Sequence, residues 1–591
     1  MPSTKSYSRS KTPDLQTFST NKHRLWRESI IFAFGKQHST MAKNGTLLWI
    51  DDEIELLRAH ILFLKGKDYD VDTATNGRDA LDRLREQSYD LILLDENMPG
   101  LTGLETLTLI KELRPAIPVV MVTKSEEEDI MNQAIGAKIA DYLIKPVNPS
   151  QILLTLKKNI HKRDIITETT NTNYQQNMGR IAMQINDAST AESWIEVYKS
   201  LVYWELELEH ADNNMSEMLR MQKEEANNLF ARFVRKHYED WCENMGDSLR
   251  VKGDENRPGR LKPSSLNPHL STLNPNPSSQ GTPLLSPYLF RDRIFPLLDK
   301  GDKVVLIVFD NFRYDQWKIL SHELASGFTY DEELYYSILP TATQYARNAI
   351  FSGLMPNKIA EMFPELWVDE DEDEGKNLNE APLIQTQIAR YRRRDTFSYN
   401  KINNATEAER LVSQFAQFAH HDLNVVVVNF IDLLSHARTE SKTLRELASD
   451  EAAYRSVTAT WFRHSPLRDL FALLAESDYK VVITTDHGSI RVNNPLKVVG
   501  DRNVNTNLRY KLGKNLSYNP REVYEIKDPR KVFLPSPNVS TAYIFAWGDN
   551  FFAYPNNYNH YVSYYRDTFQ HGGISMEEMI IPLVTMTPKK R

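Results

Sequence analysis

The chain is 591 residues long, with 25% charged and 41% hydrophobic residues, which is an ordinary composition for a globular protein of several domains. Its formal net charge of -8 argues against a protein that binds duplex DNA through a basic surface. A single cysteine, Cys242, excludes an intrachain disulfide and fits a reducing cytoplasm, and the short apolar runs predict no membrane insertion.

Residues 1–44 stand apart from the rest of the chain in composition. They are rich in Ser, Thr, Lys and Arg and contain few acids, which is typical of an organelle transit peptide. Because a well-formed domain begins at Met41, we favour a disordered or non-native N-terminal extension.

Strand and helix patterns alternate from Thr46 to Pro146. Apolar strands such as "TLLWID" and "PVVMVTK" are followed by amphipathic segments such as "GLETLTLIKELR". Five such β/α repeats in about a hundred residues predict a parallel sheet with helices on both faces, in a domain at 45–160.

Polar side chains mark the ends of these strands. Asp51 and Asp52 follow the first strand and Asp95 ends the third, while Thr123 and Lys145 end the fourth and fifth. Three neighbouring carboxylates repel one another unless a cation holds them, and hard oxygen ligands suit Mg²⁺. Lysine and threonine can both bind phosphoryl oxygens.

With the motifs "LILLDENMPG", "VTK" and "DYLIKP", residues 46 to about 160 resemble the receiver domain of two-component response regulators. The resemblance implies a flavodoxin-like (βα)5 fold of strand order 2-1-3-4-5 and a sensor histidine kinase as partner. It also implies phosphorylation of Asp95 and Mg²⁺ held by Asp51, Asp52 and Asp95. Thr123 and Tyr142 would be the switch pair, and Lys145 would contact the phosphoryl group.

The strand signal vanishes between 161 and 250. Aromatic and aliphatic residues there recur at helical spacing, which predicts about three amphipathic helices in a helical bundle or dimer stalk. One predicted stripe consists of Trp194, Val197, Tyr198, Leu201, Trp204 and Leu208. Residues 251–283 are rich in Pro, Ser and Asn and are interpreted as a linker or long surface loop.

A second α/β region follows at 284–591. Its predicted strands are "KVVLIVFD", "LNVVVVNFID" and "YKVVITTD". Seven residues near strand ends or loop starts form a ligand inventory for one or two zinc ions: Asp310, Thr343, Asp432, His436, Asp486, His487 and His571. Taken one at a time, each has an ordinary alternative as a turn residue, a helix cap or a core or surface histidine.

The order and spacing of "FDNFR", "PTATQ", "DHG" and "HGG" resemble the alkaline phosphatase superfamily, in its PglZ-type branch. The resemblance implies that Thr343 is the nucleophile and shares one zinc ion with Asp310, Asp486 and His487. Asp432, His436 and His571 would hold the other zinc ion.

Three further residues of this region bear on the interpretation of the site. Thr341 lies two positions upstream of Thr343 and is the alternative nucleophile. Asn311 stands where many members have glycine, which concerns the turn rather than the chemistry. Arg347 lies one helical turn after Thr343 and either contacts the substrate phosphate or is a surface arginine.

Taken as a whole, the chain resembles the response regulators with a PglZ-type output domain that serve type IX secretion in Bacteroidetes. That resemblance implies a phosphodiesterase acting on oligonucleotide or cyclic nucleotide substrates and a homodimer formed on phosphorylation. The alternative is a zinc-containing regulator that docks onto a sigma factor or a secretion-motor protein without essential catalysis. A DNA-binding regulator is disfavoured because no helix-turn-helix pattern is seen.

Overall fold

The computed structural model describes residues 44–589 except 115–116, 124–138, 211–212, 250–281, 370–376, 441–444, 446–447, 449, 501–504, 506, 539 and 556. The N-terminal extension, the helix predicted at "EEDIMNQAIGA" and nearly all of the 251–283 linker therefore lie outside the described residues. The chain divides into two compact units between Thr169 and Thr170.

The first unit contains a five-stranded parallel sheet. Its strands are β1 (Gly45–Ile50), β2 (Tyr69–Ala74), β3 (Leu91–Asp95), β4 (Val119–Thr123) and β5 (Asp141–Ile144). Its described helices are α1 (Arg58–Lys65), α2 (Gly77–Glu86) and α3 (Gly103–Leu113), and the first turns of α4 (Pro149–Asp187) belong to it as well. The order β2-β1-β3-β4-β5 confirms the flavodoxin-like arrangement.

The burial of the strands explains why this sheet forms. Every residue of β3 and β4 is buried, as expected for central parallel strands that helices cover on both faces. Two separate apolar clusters lie on the two faces of the sheet, one around Leu48 and Leu107 and the other around Trp49 and Leu156. The carboxyl ends of β1, β3, β4 and β5 consequently meet at one edge.

The linker consists of α4, α5 (Ala191–Glu207) and α6 (Asn213–Leu249). The predicted stripe on α5 is buried throughout, which confirms the helical periodicity. These apolar residues join one continuous core with the C-terminal domain rather than forming an isolated stalk. The reason is that aromatic side chains such as Trp241 and Phe230 pack against Tyr336 of that domain.

The C-terminal domain is built on a six-stranded sheet of order β7-β18-β10-β6-β9-β8. The strands are β6 (Val304–Phe309), β7 (Phe328–Tyr336), β8 (Phe397–Ile402), β9 (Leu423–Val428), β10 (Lys480–Thr485) and β18 (Ile580–Pro588). The three strands predicted from the sequence, β6, β9 and β10, are parallel neighbours at its centre. β18 is antiparallel to both β10 and β7.

The described residues of this domain also form helices. They are α7 (Phe295–Asp299), α8 (Tyr314–Leu324), α9 (Thr343–Ser352), α10 (Pro356–Met362), α11 (Glu380–Arg390), α12 (Ala405–Ser413), α13 (Phe430–Glu440), α14 (Glu451–His464), α15 (Leu467–Ala475), α16 (Tyr558–Tyr565) and α17 (Met576–Met579).

Three small sheets cover the region between β10 and β18. They contain β11 (Ile490–Arg491) with β17 (Phe569–Gln570), β12 (Asn494–Lys497) with β16 (Asn550–Ala553), and β13 (Tyr510–Gly513) with β14 (Tyr524–Ile526) and β15 (Ala542–Phe545). Among the described helices, none combines the length and apolar character needed to cross a membrane.

Candidate functional site

The receiver sheet brings its polar strand ends together around Lys145. The Lys145 ammonium lies 2.8 Å from Asp51 Oδ2 and 3.0 Å from Asp95 Oδ1. Asp51 and Asp95 are buried, whereas Asp52 is exposed, and carboxylate oxygens of the three acids lie within 4.8 Å of one another. Burial raises the pKa of Asp95, although Lys145 acts in the opposite direction.

The two predicted switch residues differ in their exposure. Thr123 ends β4 and is buried, close to the acidic site at the same edge of the sheet. Tyr142 lies on the edge strand β5 and is 38% exposed.

In the C-terminal domain, the first ligand cluster forms because β6 and β10 are adjacent and parallel. Phe309 is paired with Thr485, so the residues that follow these strands, Asp310 and Asp486, emerge side by side. His487 is next in the chain, and ligand atoms of the three residues lie within 4.8 Å of one another. Burial raises the pKa of both aspartates, and Arg347 acts in the opposite direction on each. Asp432 raises the pKa of Asp310 further, and Asp310 raises that of Asp486.

Thr343 is in contact with this cluster. Its Oγ1 lies 3.2 Å from Asp310 Oδ1 and 3.1 Å from His487 Nε2. Thr343 is the first residue of α9, directly after the N-cap residue Ala342, and it is only partly buried. The helix start therefore places the hydroxyl at the ligands instead of at the backbone of its own helix.

Hydrogen bonds fix the orientation of His487. Its Nδ1 lies 3.2 Å from the carbonyl oxygen of Gly488, so Nδ1 carries the proton and donates it there. The lone pair of Nε2 then faces Thr343 and the two aspartates. Burial, together with the nearby His571, lowers the pKa of His487 well below its ordinary value, which keeps the ring neutral.

The second cluster contains Asp432, His436 and His571, with ligand atoms again within 4.8 Å of one another. Asp432 and His436 lie one turn apart on α13, and His436 Nε2 is 3.4 Å from Asp432 Oδ2. His571 Nε2 is 3.6 Å from Asp432 Oδ1. Burial alone would raise the pKa of Asp432, but the two histidines outweigh it and lower that pKa.

The two clusters are contiguous. The rings of His487 and His571 stack with centroids 4.3 Å apart. Asn311 also joins them, because its backbone N–H donates to Asp486 and its side-chain amide donates to Asp432, each at 3.3 Å. Its φ of 63° lies in the left-handed region, which explains why asparagine serves at a turn where glycine is an alternative.

Arg347 is buried, so the interpretation as a surface arginine is wrong. Its guanidinium donates to Asp310 at 2.7 Å and to Glu380 at 2.5 Å, and it lies 3.6 Å from Asp486. Burial would lower the pKa of Arg347, but these acids outweigh it and keep the group charged. Its observed contacts orient Asp310 from behind.

Glu380 was not singled out by the sequence, although it completes this arrangement. It accepts hydrogen bonds from Arg347, from Lys401 at 2.9 Å and from the hydroxyl of Tyr399. No local sequence pattern marks it, because Glu380 lies on α11 and its partners lie on other elements of the chain.

Thr341 makes contacts of a different kind from those of Thr343. Its hydroxyl donates to the carbonyl oxygen of Gly573 and accepts from the N–H of Gly572. Its own carbonyl oxygen lies 3.2 Å from His571 Nδ1, which directs Nε2 of that ring towards Asp432. Thr341 therefore holds the "HGG" segment in place, whereas the hydroxyl of Thr343 contacts the first ligand cluster.

A third group of acids, Glu205, Asp315 and Glu451, lies close together elsewhere in the same unit. Here basic side chains already balance the charge: Arg455 contacts Glu205 and Asp315, and Arg313 contacts Asp315 and Glu451. We interpret this group as a buried ion-pair network rather than a metal site.

Comparison with protein families identifies three consecutive regions. Residues 47–157 match the response regulator receiver domain, and residues 164–242 match the PorX response regulator linker domain. Residues 289–586, half of the chain, match the BREX system PglZ alkaline phosphatase-like domain.

Curated relatives match the receiver region. The transcriptional regulatory protein ZraR of Escherichia coli K12 is 38% identical over 127 residues, which is 21% of this chain and 29% of ZraR. The transcriptional regulatory protein ResD of Bacillus subtilis is 38% identical over 111 residues, or 19% of this chain and 46% of ResD. The chain thus spans less than half the length of these relatives.

Solved structures match the same region. Chemotaxis response regulator CheY4 of Vibrio cholerae is 29% identical and covers 19% of this chain and 96% of its own, with a TM-score of 0.19. A response regulator receiver domain protein from Clostridium thermocellum is 27% identical and covers 20% and 97%, with a TM-score of 0.20.

The family matches and the strand-end chemistry agree on the order of domains along the chain. The chain belongs to the PglZ alkaline phosphatase-like family and is a response regulator that joins this domain to a receiver through a PorX-type linker.

Proposed function

We propose that this response regulator is a zinc-dependent phosphodiesterase in which Thr343 is the nucleophile. The observation that carries the proposal is the position of Thr343 Oγ1, within 3.2 Å of both a carboxylate and a neutral imidazole at the edge of two contiguous ligand clusters. A phosphoesterase of this type needs a hydroxyl group beside its metal ligands. A regulator that acts only by docking onto a partner does not need one.

The residues present fit zinc. Oδ2 of Asp486 is buried and accepts no hydrogen bond from the described residues, although Arg347 lies 3.6 Å away. Two buried carboxylates in contact are unfavourable when both are ionised, and a divalent cation removes that cost. Aspartate oxygens and histidine nitrogens are ligands that zinc takes.

Two ligand sets follow from the clusters. Asp310, Asp486, His487 and Thr343 would hold one zinc ion, and Asp432, His436 and His571 would hold a second. Bound there, zinc would favour the ionised hydroxyl of Thr343 and balance the charge of the phosphate.

The residues of the chain account for the remaining steps. Oγ1 of Thr343 loses its proton and attacks phosphorus, the bond from phosphorus to the leaving oxygen breaks, and that oxygen takes up a proton, so that the leaving group departs as an alcohol. Water then cleaves the bond between Thr343 and phosphorus, which restores the hydroxyl and releases the phosphate product. Arg347 holds Asp310 throughout, because both of its observed acidic partners fix the guanidinium.

In the receiver, we propose that Asp95 accepts a phosphoryl group from a sensor histidine kinase. Asp51, Asp52 and Asp95 would hold Mg²⁺, and their oxygens are the ligands that this ion prefers. Lys145, already in contact with Asp95, would contact the phosphoryl oxygens, while Thr123 and Tyr142 would report the change.

The biological setting is proposed from the resemblance. The substrate would be an oligonucleotide or a cyclic nucleotide, the protein would act in the cytoplasm, and its pathway would be type IX secretion. Docking to a sigma factor or to a secretion-motor protein stays a prediction from the sequence.

Hydrolysis of a chromogenic phosphodiester tests the enzymatic proposal. With zinc, the intact protein should turn the substrate over, a chelator should abolish turnover, and Thr343→Ala should lose at least about 1000-fold in kcat. Thr460→Ala is the control, because Thr460 is an exposed threonine on α14. Equal rates for Thr343→Ala and the intact protein would exclude Thr343 as the nucleophile.

A further inference from the structure

Helix α6 of the linker contacts the segment that carries Thr343. The hydroxyl of Tyr238 accepts a hydrogen bond from the backbone N–H of Leu339 at 2.7 Å. Both residues are fully buried, so water cannot replace this bond. Leu339 lies four positions before Thr343, between the end of β7 and the start of α9.

The same helix contacts the segment that follows His571. Oδ1 of Asn227 accepts from the backbone N–H of Met576 at 2.8 Å, and its Nδ2 donates to Glu577 at 3.0 Å. Asn227 is buried, and Lys223 adds an ion pair with Glu577 at 3.3 Å. These contacts anchor the short helix α17.

From α17 the contact continues to the first ligand cluster. The backbone N–H of Gly488 donates to the carbonyl oxygen of Glu578 at 3.2 Å. A Cβ at Gly488 would lie 2.1 Å from the carbonyl oxygen of Glu577, so the two segments pack without spare room. His487 directly precedes Gly488, and its position therefore depends on α17.

Asn227 and Tyr238 lie on one face of α6. They are eleven positions apart, which is about three turns of an α-helix, and Lys223 is one turn before Asn227. One rigid element thus holds both the nucleophile segment and the segment between His571 and β18. Thr341 ties these two segments to each other through Gly572 and Gly573.

We propose that Asn227 and Tyr238 are positioning residues, through which α6 sets the distance between the nucleophile and the metal ligands. A translation of α6 along its axis, or a rotation about that axis, would move the segment that carries Thr343 and the segment between His571 and β18. The ligands that these segments carry would move with them. A displacement of about 1 Å can cost about 100-fold in rate when a nucleophile and its ligands must be aligned. The linker then contributes to the positioning of the site.

Tyr238→Phe tests this inference, because it keeps the ring and removes the hydroxyl that accepts from the Leu339 N–H and also bonds the thiol of Cys242 within α6. Tyr174→Phe is the matched control: Tyr174 is an equally buried linker tyrosine whose hydroxyl donates to Gln222 inside the bundle. Asn227→Ala and its exposed neighbour Asn228→Ala form a second pair.

Three quantities are measured for each variant of the full-length protein. They are amide hydrogen exchange in residues 337–345 and 571–579, zinc affinity by competition with a chelator, and kcat and KM with a chromogenic phosphodiester. For Tyr238→Phe we expect faster exchange in 337–345, together with weaker zinc binding or a kcat about tenfold lower at unchanged KM. Tyr174→Phe should leave all three at the values of the intact protein.

Two results would overturn the inference. One is unchanged exchange in Tyr238→Phe and Asn227→Ala, and the other is faster exchange with zinc affinity and kcat at the values of the intact protein. The catalytic readout depends on the proposed activity, and zinc affinity depends only on the proposed metal site, whereas exchange depends on neither. An intact protein that binds zinc and hydrolyses no phosphodiester would contradict the proposed function while those two readouts still decide the inference.

Discussion

Arg347 shows at the scale of one residue how the site is stabilised. It is 1% exposed and contacts two buried acids, Asp310 and Glu380. A buried charge whose partner is removed costs far more than an exposed ion pair contributes. The guanidinium of Arg347 therefore stabilises the fold by balancing the charge of Asp310, and it also changes the electrostatic environment of the site.

We predict that Arg347→Met lowers the free energy of unfolding of the C-terminal domain by about 3–5 kcal/mol, because Asp310 and Glu380 lose their shared cation. Denaturant unfolding of the zinc-free protein measures the change. The matched control is Arg394→Met at an exposed arginine, which should change the free energy by less than about 0.5 kcal/mol. Equal effects of the two substitutions would contradict this role of Arg347.

The sequence allowed the ligands to be predicted but not the residues behind them. Asp310 and Asp486 each follow a continuous apolar run, and parallel strands bring such ends together, so their proximity follows from the pattern. Glu380, Asn227 and Tyr238 reach the site through side-chain contacts between distant parts of the chain. No periodicity or short motif marks such contacts.

At the scale of elements, a buried ion-pair network joins α5 and α6 to α8 and α14. Glu205 contacts Lys223 at 2.6 Å and Arg455 at 2.8 Å. Burial would raise the pKa of Glu205, but Lys223 and Arg455 outweigh it and lower that pKa below the ordinary value. Glu205 therefore stays ionised in the folded protein under conditions in which the unfolded chain binds a proton.

This shift predicts how stability depends on pH. A carboxylate with a lowered folded-state pKa stabilises the fold above its unfolded pKa of 4.5 and loses that contribution as the pH falls further. We expect Glu205→Gln to destabilise the protein at pH 7 and the difference from the intact protein to shrink below about pH 4.5. Denaturant unfolding at pH 7, 5 and 4 measures the difference in the free energy of unfolding between Glu205→Gln and the intact protein.

The control for this series is Glu207→Gln, since Glu207 is an exposed neighbour on the same helix. It should show little effect at any of the three pH values. A difference for Glu205→Gln that stays constant from pH 7 to pH 4 would contradict the role of the ionised carboxylate.

Helix periodicity predicted the linker helices and their apolar stripe, but not what the stripe would pack against. The same amphipathic pattern serves a bundle, a dimer stalk or a helix packed on a neighbouring domain. Here Phe230 and Trp241 pack against Tyr336 of the C-terminal domain, and this choice depends on the shape of a distant surface.

At the scale of the whole molecule, the chain joins a phosphorylatable switch to a phosphoesterase-like domain. We predict that phosphorylation of Asp95 converts a monomer into a homodimer, since a new phosphoryl charge reorganises the receiver surface near Tyr142. Light scattering with and without beryllium fluoride and Mg²⁺ should show a doubling of the mass.

Asp95→Asn is the control for dimerisation, because it removes the phosphoryl acceptor and keeps the size of the side chain. It should show the same mass with and without beryllium fluoride. An intact protein whose mass does not change on adding the mimic would contradict the coupling between phosphorylation and assembly.

The central claim is that Thr343 forms a covalent bond to phosphorus during turnover. Acid quenching of the zinc-loaded protein with a phosphodiester substrate, followed by peptide mass spectrometry, tests this claim most directly. We predict a phosphorylated or phosphodiester-linked peptide modified at Thr343, which is absent from Thr343→Ala. Steady turnover by Thr343→Ala would contradict the account. So would an adduct on Thr341 in the intact protein.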